Sequence, residues 1–337
     1  MIASAATAPH IVFTVSDDLG WNDVSFHGSE VSTPNLDALA LGPNSVHLVN
    51  YYGQSICTPA RSSILTGRYA SHTGLQHSYW LQGQAGGLPL TFKTIADHFA
   101  EAGYARASVG KWHQGFESWS YTPIERGFQS YYGYLGGGED YYTHKSGEYI
   151  DLTANRTAVL TAGGQYSTGL FTDEAISRIR NHALHALPQP LFLYLAYQAV
   201  HSPLEAPKSW VDRYTWITNP HRRVLAAMTS CMDAHIGRIV SSLKEVGMWS
   251  STVFAFTADN GGPPYVANSN WPMRGGKWTM WEGGTHLVGF VHSAARLPSA
   301  PKNFTGLMHQ ADWVPTLLGA AGIVKINDTS SPPSACL

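Results

Sequence analysis

Short apolar segments that alternate with helical patterns constrain the fold of this 337-residue chain more than any other feature of its sequence. The apolar segments are typical of strands buried on both faces, and the predicted strands are 10–16, 104–109, 190–196, 252–258 and 287–292. Apolar residues at helical spacing predict helices over 34–40, 91–102, 171–187, 222–246 and 311–321. Strands that alternate with helices predict an α/β fold, in which helices cover both faces of a parallel sheet.

Residues 114–170 lack this alternation and are rich in Gly, Tyr and Ser. We expect them to form long surface excursions rather than a linker between domains.

The composition excludes several classes of protein. Only 13% of the residues are charged, whereas 44% are hydrophobic, so the chain can bury a large core and is not a disordered protein. A formal net charge of −2 gives no electrostatic footprint for nucleic acid, and we expect no such partner. No uninterrupted apolar run approaches the length of a membrane-spanning helix, so we expect no membrane span.

The cellular compartment stays open at this point. No signal peptide is visible, because the opening segment MIASAATAPH lacks both a basic region and an apolar region. The three cysteines are too few for a disulfide framework. Glycosylation tripeptides at Asn155, Asn303 and Asn327 favour a secretory route, although such tripeptides are also common by chance.

Polar residues follow four of the predicted strands at the point where each strand ends. They are Asp17 and Asp18, then Lys111 and His113, then His201, and finally Asp259 and Asn260. Each group alone has an ordinary explanation as a turn, a cap or a solvated loop residue. Because ligands of open α/β sheets bind beyond the carboxyl ends of the strands, the four groups together predict one functional site.

The residue types in this predicted site indicate its chemistry. Three carboxylates and an amide oxygen suit Ca²⁺ or Mg²⁺ rather than zinc. Lysine and histidine beside such an ion favour an anionic substrate whose developing charge they stabilise. The combination predicts hydrolysis of a phosphate or a sulfate ester.

The segment 57–61, which reads CTPAR, bears on that choice. Cys57 has three interpretations: a buried thiol ahead of a helix, a thiolate nucleophile activated by the helix N-terminus, or a site of modification. The longer stretch CTPARSSILTGR resembles the signature of the sulfatase family, in which the cysteine of C-x-P-x-R is oxidised to formylglycine. Further blocks match that family in order, among them HIVFTVSDDLGWNDVSFHG, VGKWHQG, TADNGG and HQADWVPTLL. The blocks NYYGQSICTP, SHTGLQH and NWPMRGGKW resemble most the arylsulfatase B branch, which contains N-acetylgalactosamine-4-sulfatase.

The resemblance implies a fold, a cofactor and a set of site residues. The fold is a large mixed, mostly parallel sheet sandwiched between helices, like that of alkaline phosphatase. The cofactor is one Ca²⁺ ion beside formylglycine at position 57, and the implied metal ligands are Asp17, Asp18, Cys57, Asp259 and Asn260. The implied catalytic residues are Cys57, Arg61, Lys111, His113, His201 and Lys277.

The family's mechanism gives each of these residues a role. Formylglycine is hydrated to a diol that attacks sulfur, with Asp259 as the neighbouring base and Arg61 holding the diol. Lys111 holds the sulfate oxygens, and His201 and Lys277 assist the leaving alkoxide. His113 then accepts the proton of the second hydroxyl. His286 stands where relatives carry arginine, and Trp80, Trp112, Trp271 and Trp281 are candidates for lining the substrate cleft.

The resemblance also implies partners, a location and a domain division. The substrate is a sulfated glycan or an aryl sulfate, the maturation partner is the formylglycine-generating enzyme, and the location is lysosomal or secreted. We expect a catalytic domain over 1–325 and a short disordered tail over 326–337, with the family's smaller C-terminal domain largely missing. Two alternatives remain open: a phosphodiesterase or phosphonate hydrolase of the same superfamily, and a catalytically inactive module that binds sulfated glycans.

Overall fold

A computed structural model describes residues 8–185 and 188–323 of the chain. The expected tail over 326–337, and Asn327 within it, lie outside the described residues. The strands are β1 (His10–Ser16), β2 (Ser45–Tyr52), β3 (Ala105–Gly110), β4 (Ser130–Tyr134), β5 (Lys145–Ser146), β6 (Tyr149–Ile150), β7 (Leu152–Ala154), β8 (Thr157–Ala158), β9 (Leu191–Ala196), β10 (Thr252–Ala258), β11 (Gly289–His292) and β12 (Lys302–His309). The α-helices are α1 (Pro34–Leu41), α2 (Cys57–Thr66), α3 (Ala70–Thr73), α4 (Ile95–Glu101), α5 (Ser167–Leu184), α6 (Lys208–Val211), α7 (Pro220–Glu245), α8 (Glu282–Thr285) and α9 (Trp313–Ala320).

Ten of the described strands form one mixed sheet in the order β12-β2-β11-β10-β1-β9-β3-β4-β7-β8. Its centre is parallel, because β1 pairs in parallel with both β10 and β9, and β9 pairs in parallel with β3. Antiparallel pairs occur away from the centre, at β10–β11, β11–β2, β4–β7 and β7–β8. The predicted α/β fold with a mixed, mostly parallel sheet is confirmed.

Both faces of the central strands are buried, as their apolar sequences indicate. In β1, Val12 packs into one core cluster, whereas its neighbours Ile11 and Phe13 pack into the other. The first cluster includes residues of α1, α5 and α7, and the second includes residues of α2, α4 and α9. Because successive strand residues point to opposite faces, helices on both sides are needed to bury them.

Five sheet strands lie in segments for which no strand is predicted, and two of them, β7 and β8, lie with β4 in the segment 114–170. Polar residues interrupt β2, β12 lies exposed at an edge of the sheet over most of its length, and β4 lies within the glycine- and tyrosine-rich segment 114–170. The expectation that 114–170 forms surface excursions is therefore wrong in part. Tyr131 and Tyr134 of β4 are fully buried, and β4 pairs with β3.

The helices of the described residues include none that combines the length and the apolarity needed to cross a membrane.

Candidate functional site

The ends of β1 and β10 place Asp17 and Asp18 beside Asp259 and Asn260. Ser16 is in register with Ala258, so the residues that follow each strand emerge together. The backbone N–H of Asp18 donates to Oδ1 of Asp259 at 3.1 Å. The Asn260 amide nitrogen donates to Oδ1 of Asp18 at 2.6 Å. Four polar residues from segments more than 200 positions apart thus share one buried edge of the sheet.

Cys57 is the first residue of α2 and reaches the same edge. Its side chain is 2% exposed, and Sγ lies 3.6 Å from Oδ1 of Asp17. Asp17, Asp18, Cys57 and His201 form a group in which one ligand atom from each residue lies within 4.8 Å of all the others. This group can hold a metal ion.

The composition of this group differs in part from the metal set that the resemblance implies. His201, expected to be catalytic, lies within the group of four. Asp259 is adjacent to it, but its Oδ2 faces Arg61. Oδ1 of Asn260 is buried and has no hydrogen-bond partner among the described residues. An unpaired amide oxygen beside buried carboxylates is a donor set that fits a hard cation such as Ca²⁺.

Three cationic side chains neutralise the three carboxylates. Nζ of Lys111 lies 2.5 Å from Oδ2 of Asp17, and Nζ of Lys277 lies 2.8 Å from Asp18. Nη2 of Arg61 lies 2.9 Å from Oδ2 of Asp259. All six charged groups are buried, so their mutual attraction is weakly screened by solvent. A divalent ion added to this balanced set makes the site net positive and attractive to an anion.

Two of the buried acids, Asp17 and Asp259, have opposite pKa shifts. Burial opposes ionisation of both, but nearby cations, chiefly Lys111, lower the pKa of Asp17 well below its ordinary value. Burial, together with repulsion from Asp17, raises the pKa of Asp259. Of two carboxylates that differ in this way, one can stay ionised while the other binds a proton.

The thiolate interpretation of Cys57 is wrong for the unmodified side chain. Burial raises the pKa of the Cys57 thiol to about 12, and the Asp17 carboxylate acts in the same direction. The lysine charges oppose this shift without reversing it. The thiol is therefore protonated at neutral pH and is a poor nucleophile.

Two histidines border the acids. Nε2 of His201 lies 3.7 Å from Oδ2 of Asp18, and its Nδ1 lies 2.7 Å from the Ser202 carbonyl oxygen. Nε2 of His113 lies 2.9 Å from the Trp80 carbonyl oxygen. Because a carbonyl oxygen can only accept, Nε2 carries the proton and donates it in this hydrogen bond. Burial lowers the pKa of both imidazoles. The neutral His113 ring then has a free lone pair on Nδ1, which is buried without a hydrogen-bond partner among the described residues.

Sequence reasoning missed the loop that positions these histidines. A Cβ at Gly137 would lie 2.8 Å from the His113 ring, and one at Gly138 would lie 3.3 Å from the His201 ring. The next residue, Glu139, is buried with Oε1 3.2 Å from both Nδ1 of His144 and Oγ of Ser167. The only sequence signal was the block GYLGGGEDYYTH, whose small residues permit this close approach.

The group of four opens into a cleft of about 350 Å³. Trp80 lines this cleft, as the sequence indicates, but Trp112 is buried in the core, and Trp271 and Trp281 are not among the lining residues. Tyr79, Tyr265 and Trp278 line it instead. His286 bonds to Glu282 and to the Val49 carbonyl, so it supports the fold and not the cleft.

A larger groove, of about 660 Å³, is lined mainly by residues of α5 and α7. Its charged residues pair with one another, as Arg180 with Glu245 and Arg238 with Asp173. They leave no charge in excess for a ligand, so the smaller cleft is the candidate active site.

Known proteins resemble this chain over most of its length. The sequence model described as Sulfatase matches residues 9–323. Mouse arylsulfatase J is 44% identical over 324 residues, which cover 94% of this chain and 53% of that protein. An arylsulfatase of Klebsiella aerogenes is 30% identical over 78% of this chain and 68% of its own length. Rat N-acetylgalactosamine-6-sulfatase is 30% identical over 84% of this chain and 56% of its own length. The chain thus spans about half the length of mouse arylsulfatase J.

Solved structures resemble the fold closely. The crystal structure of Ps i-CgsB in complex with k-i-k-neocarrahexaose matches with a TM-score of 0.89 and 30% identity, over 96% of this chain and 74% of that one. A phosphonate monoester hydrolase from Silicibacter pomeroyi matches with a TM-score of 0.65 at 20% identity, a likeness of fold alone. The matched region covers nearly all of the described residues, and the chain belongs to the sulfatase family, within the alkaline phosphatase superfamily.

Proposed function

We propose that this chain hydrolyses sulfate monoesters of sulfated sugars, with Cys57 converted to formylglycine and one Ca²⁺ ion bound beside it. One observation carries the proposal. Cys57 lies at the base of a cleft, 3.6 Å from Asp17, where three buried carboxylates meet three buried cations. An unmodified thiol with a pKa near 12 has no evident chemistry there, whereas a modified side chain would have one.

The relatives support the reaction class. Two of them are named arylsulfatases and one is named N-acetylgalactosamine-6-sulfatase. The solved structure with 30% identity contains a neocarrahexaose. A sulfated glycan is therefore the substrate class that we favour for this chain. We also propose that, within the sulfatase family, the arylsulfatase B branch is the one whose function is most similar to that of this chain.

Each residue of the site has a role in the proposed reaction. Formylglycine at position 57 would supply the nucleophile as an aldehyde hydrate, and Ca²⁺ held by Asp17, Asp18, Asp259 and Asn260 would supply positive charge. Lys111 would hold the sulfate oxygens and Arg61 the diol, since both are buried cations that contact Asp17. Lys277 and His201, beside Asp18, stabilise or protonate the leaving oxygen.

His113 is suited to accept a proton. Its Nε2 is committed to the Trp80 carbonyl, and its Nδ1 is the free basic atom of the ring. We assign it to the step that removes sulfate from position 57, for which a base must accept the proton of a hydroxyl group.

The proposal extends to maturation, location and domain extent. Conversion of Cys57 requires the formylglycine-generating enzyme, so the chain would pass through the endoplasmic reticulum and reach lysosomes or the outside of the cell. The catalytic domain would span 1–325, in line with the family match to residues 9–323.

The test is peptide mass analysis of position 57 in the full chain, made in cells that convert sulfatases, with bound calcium measured on the same sample. We expect the aldehyde at position 57, about one calcium ion per chain, and turnover of p-nitrophenyl sulfate above that of bis(p-nitrophenyl) phosphate. Cys57→Ala should abolish turnover. Cys231→Ala, at the other buried cysteine of the described residues, should retain it.

Two outcomes would overturn the proposal. A clear preference for the phosphate diester would assign the chain to phosphodiester hydrolysis. An intact thiol at position 57, with sulfated sugar bound but not hydrolysed, would make it a binding module.

A further inference from the structure

Two exposed aromatic rings form one wall of the cleft above the buried acids. Tyr79 is 38% exposed and Trp278 is 44% exposed, although large aromatic side chains are usually more buried. Their ring centroids lie 5.3 Å apart at an interplanar angle of 74°. The two rings therefore make a corner, which presents flat apolar surface to a molecule in the cleft.

The backbone fixes both rings relative to the base of the cleft. The residue before Trp278 is Lys277, whose Nζ lies 2.8 Å from Asp18. The residue after Tyr79 is Trp80, whose N–H donates to Oγ1 of Thr58 at 2.8 Å, and Thr58 follows Cys57 directly. The backbone on which each ring is carried is therefore held close to the base of the cleft.

Trp278 also adopts an unusual backbone conformation. Its φ is +77°, in the left-handed region that bulky residues avoid, and its N–H donates to the Ser55 carbonyl at 2.9 Å. Residues held in such conformations cluster at ligand sites, where the surrounding structure imposes the cost. Trp278 thus adopts this conformation at the cleft even though its side chain is only partly buried there.

The upper cleft carries no charge in the described structure. Among the residues that line the cleft, only Lys277 and Asp18 belong to the Lys, Arg, Asp and Glu types, and they pair with each other at its base. The remaining polar groups near the rim include Gln82 and Ser146, which bond to each other at 2.6 Å. The cleft thus offers a place for one anionic group at its base and neutral surface above it.

We propose that Tyr79 and Trp278 are specificity residues that bind an electrically neutral ring carrying a single sulfate, and that the site disfavours a ring with a neighbouring carboxylate or second sulfate. This inference rests on the proposed function and narrows its substrate class. Pyranose rings and aryl rings both offer the flat apolar face that such a corner recognises. A second anion beside the first would lose its hydration without meeting a cation.

The test compares three substrates on the mature full chain: N-acetylgalactosamine monosulfate, p-nitrophenyl sulfate, and a disaccharide in which a uronic acid adjoins the sulfated sugar. We expect kcat/KM to be at least about tenfold lower for the uronic acid disaccharide than for the neutral sugar. Trp278→Ala should raise KM for the preferred ring by about fivefold to tenfold, with the smaller part of the effect in kcat. Trp278→Phe should recover much of this loss.

The control is Trp216→Ala, because Trp216 is 60% exposed and does not line the cleft. It should leave KM unchanged. Binding of the same sugars to Cys57→Ser, measured by tryptophan fluorescence, separates the two proposals. Absent turnover in the wild-type chain, with Trp278-dependent binding of the neutral sugar, would overturn the proposed function alone.

Two results would overturn the inference itself. One is a preference for the uronic acid disaccharide. The other is equal KM values for the wild-type chain and Trp278→Ala with both neutral substrates. The ratio of the N-acetylgalactosamine and p-nitrophenyl values then tells which neutral ring the corner prefers.

Discussion

The ammonium group of Lys277 lies 2.8 Å from the carboxylate of Asp18, a contact that joins residues 259 positions apart in the chain. Both groups are buried at the base of the cleft, so removal of the cation leaves Asp18 without its nearest positive partner. We expect Lys277→Gln to lower kcat for p-nitrophenyl sulfate by about 10²-fold, in the range seen when one charge-stabilising donor is lost. Lys208→Gln removes an exposed lysine that pairs with Asp212 and should leave kcat unchanged. A normal rate for Lys277→Gln in folded protein would exclude Lys277 from the reaction.

Calcium should stabilise the folded chain. The carboxylates of Asp17 and Asp18 are already close together in the folded state, whereas the unfolded chain has no such group of ligands. At an ion concentration 100-fold above its dissociation constant, mass action adds about 2.7 kcal/mol to the free energy of unfolding. A thermal melt with calcium and with a chelator measures the difference. It should disappear in Asp18→Asn and persist in Asp212→Asn, an exposed position. Identical melting temperatures with and without calcium would argue against the metal site.

Substitutions at three glycines should affect turnover in a fixed order. A Cβ at position 137 would lie 2.8 Å from the His113 ring, closer than real contacts allow, so Gly137→Ala must displace the imidazole. We expect a loss of about 10²-fold in kcat, the cost of misplacing a catalytic group by about 1 Å. Gly138→Ala, at 3.3 Å from His201, should cost less. Gly163→Ala meets nothing within 4 Å and serves as the control. Circular dichroism would verify the fold, and equal rates for all three variants would contradict the predicted order.

Acidification should destabilise the fold through His27 and His47. Nδ1 of His27 lies 2.8 Å from the Trp21 carbonyl and must donate, so its Nε2 accepts from Nε2 of His47 at 3.1 Å. Burial, together with the neighbouring histidines, lowers the pKa of His27 to about 4. Between this value and the ordinary pKa of about 6.5, the unfolded chain binds more protons than the folded chain. The free energy of unfolding therefore falls as the pH falls through this range.

Urea unfolding at pH 7 and pH 5 measures this effect. The contribution of His27 is at most about 1.4 kcal/mol for each pH unit below about 6.5. His27→Gln keeps a hydrogen-bonding group and removes the titration, so its stability should depend less on pH than that of the wild-type chain. His221→Gln, at an exposed position, is the matched control. An unchanged pH dependence in His27→Gln would show that other groups control acid stability.

The central sheet and the base of the site could be predicted from sequence because each has a strong local signal. Continuous apolar runs identified β1, β9 and β10, and the polar residues directly after them identified the edge where Asp17 and Asp259 meet. Strands β2 and β12 gave no such signal. One is interrupted by His47 and Asn50, and the other is exposed along most of its length.

The cleft wall could not be predicted for a different reason. Trp271 and Trp281 stand in the same tryptophan-rich segment as Trp278, and composition does not distinguish them. A left-handed backbone and a hydrogen bond from its N–H to the Ser55 carbonyl distinguish Trp278 from the other two residues. Both depend on long-range contacts that a local pattern does not contain. The same holds for Tyr79, which faces Trp278 across nearly 200 residues of sequence.

The burial of Cys57 restricts the stage at which its thiol can be modified. In the folded chain Cys57 is only 2% exposed, and the cleft beside it has a volume of about 350 Å³, which is too small to admit a second protein. Asp17 and Asp18 precede Cys57 in the chain, but Asp259 follows β10, which is synthesised almost 200 residues after Cys57. The conversion proposed for Cys57 would therefore need to occur before the sheet closes over this residue. Under that proposal, slow synthesis of the segment between Cys57 and β10 would lengthen the time in which the thiol is accessible, and early closure of the sheet would shorten it.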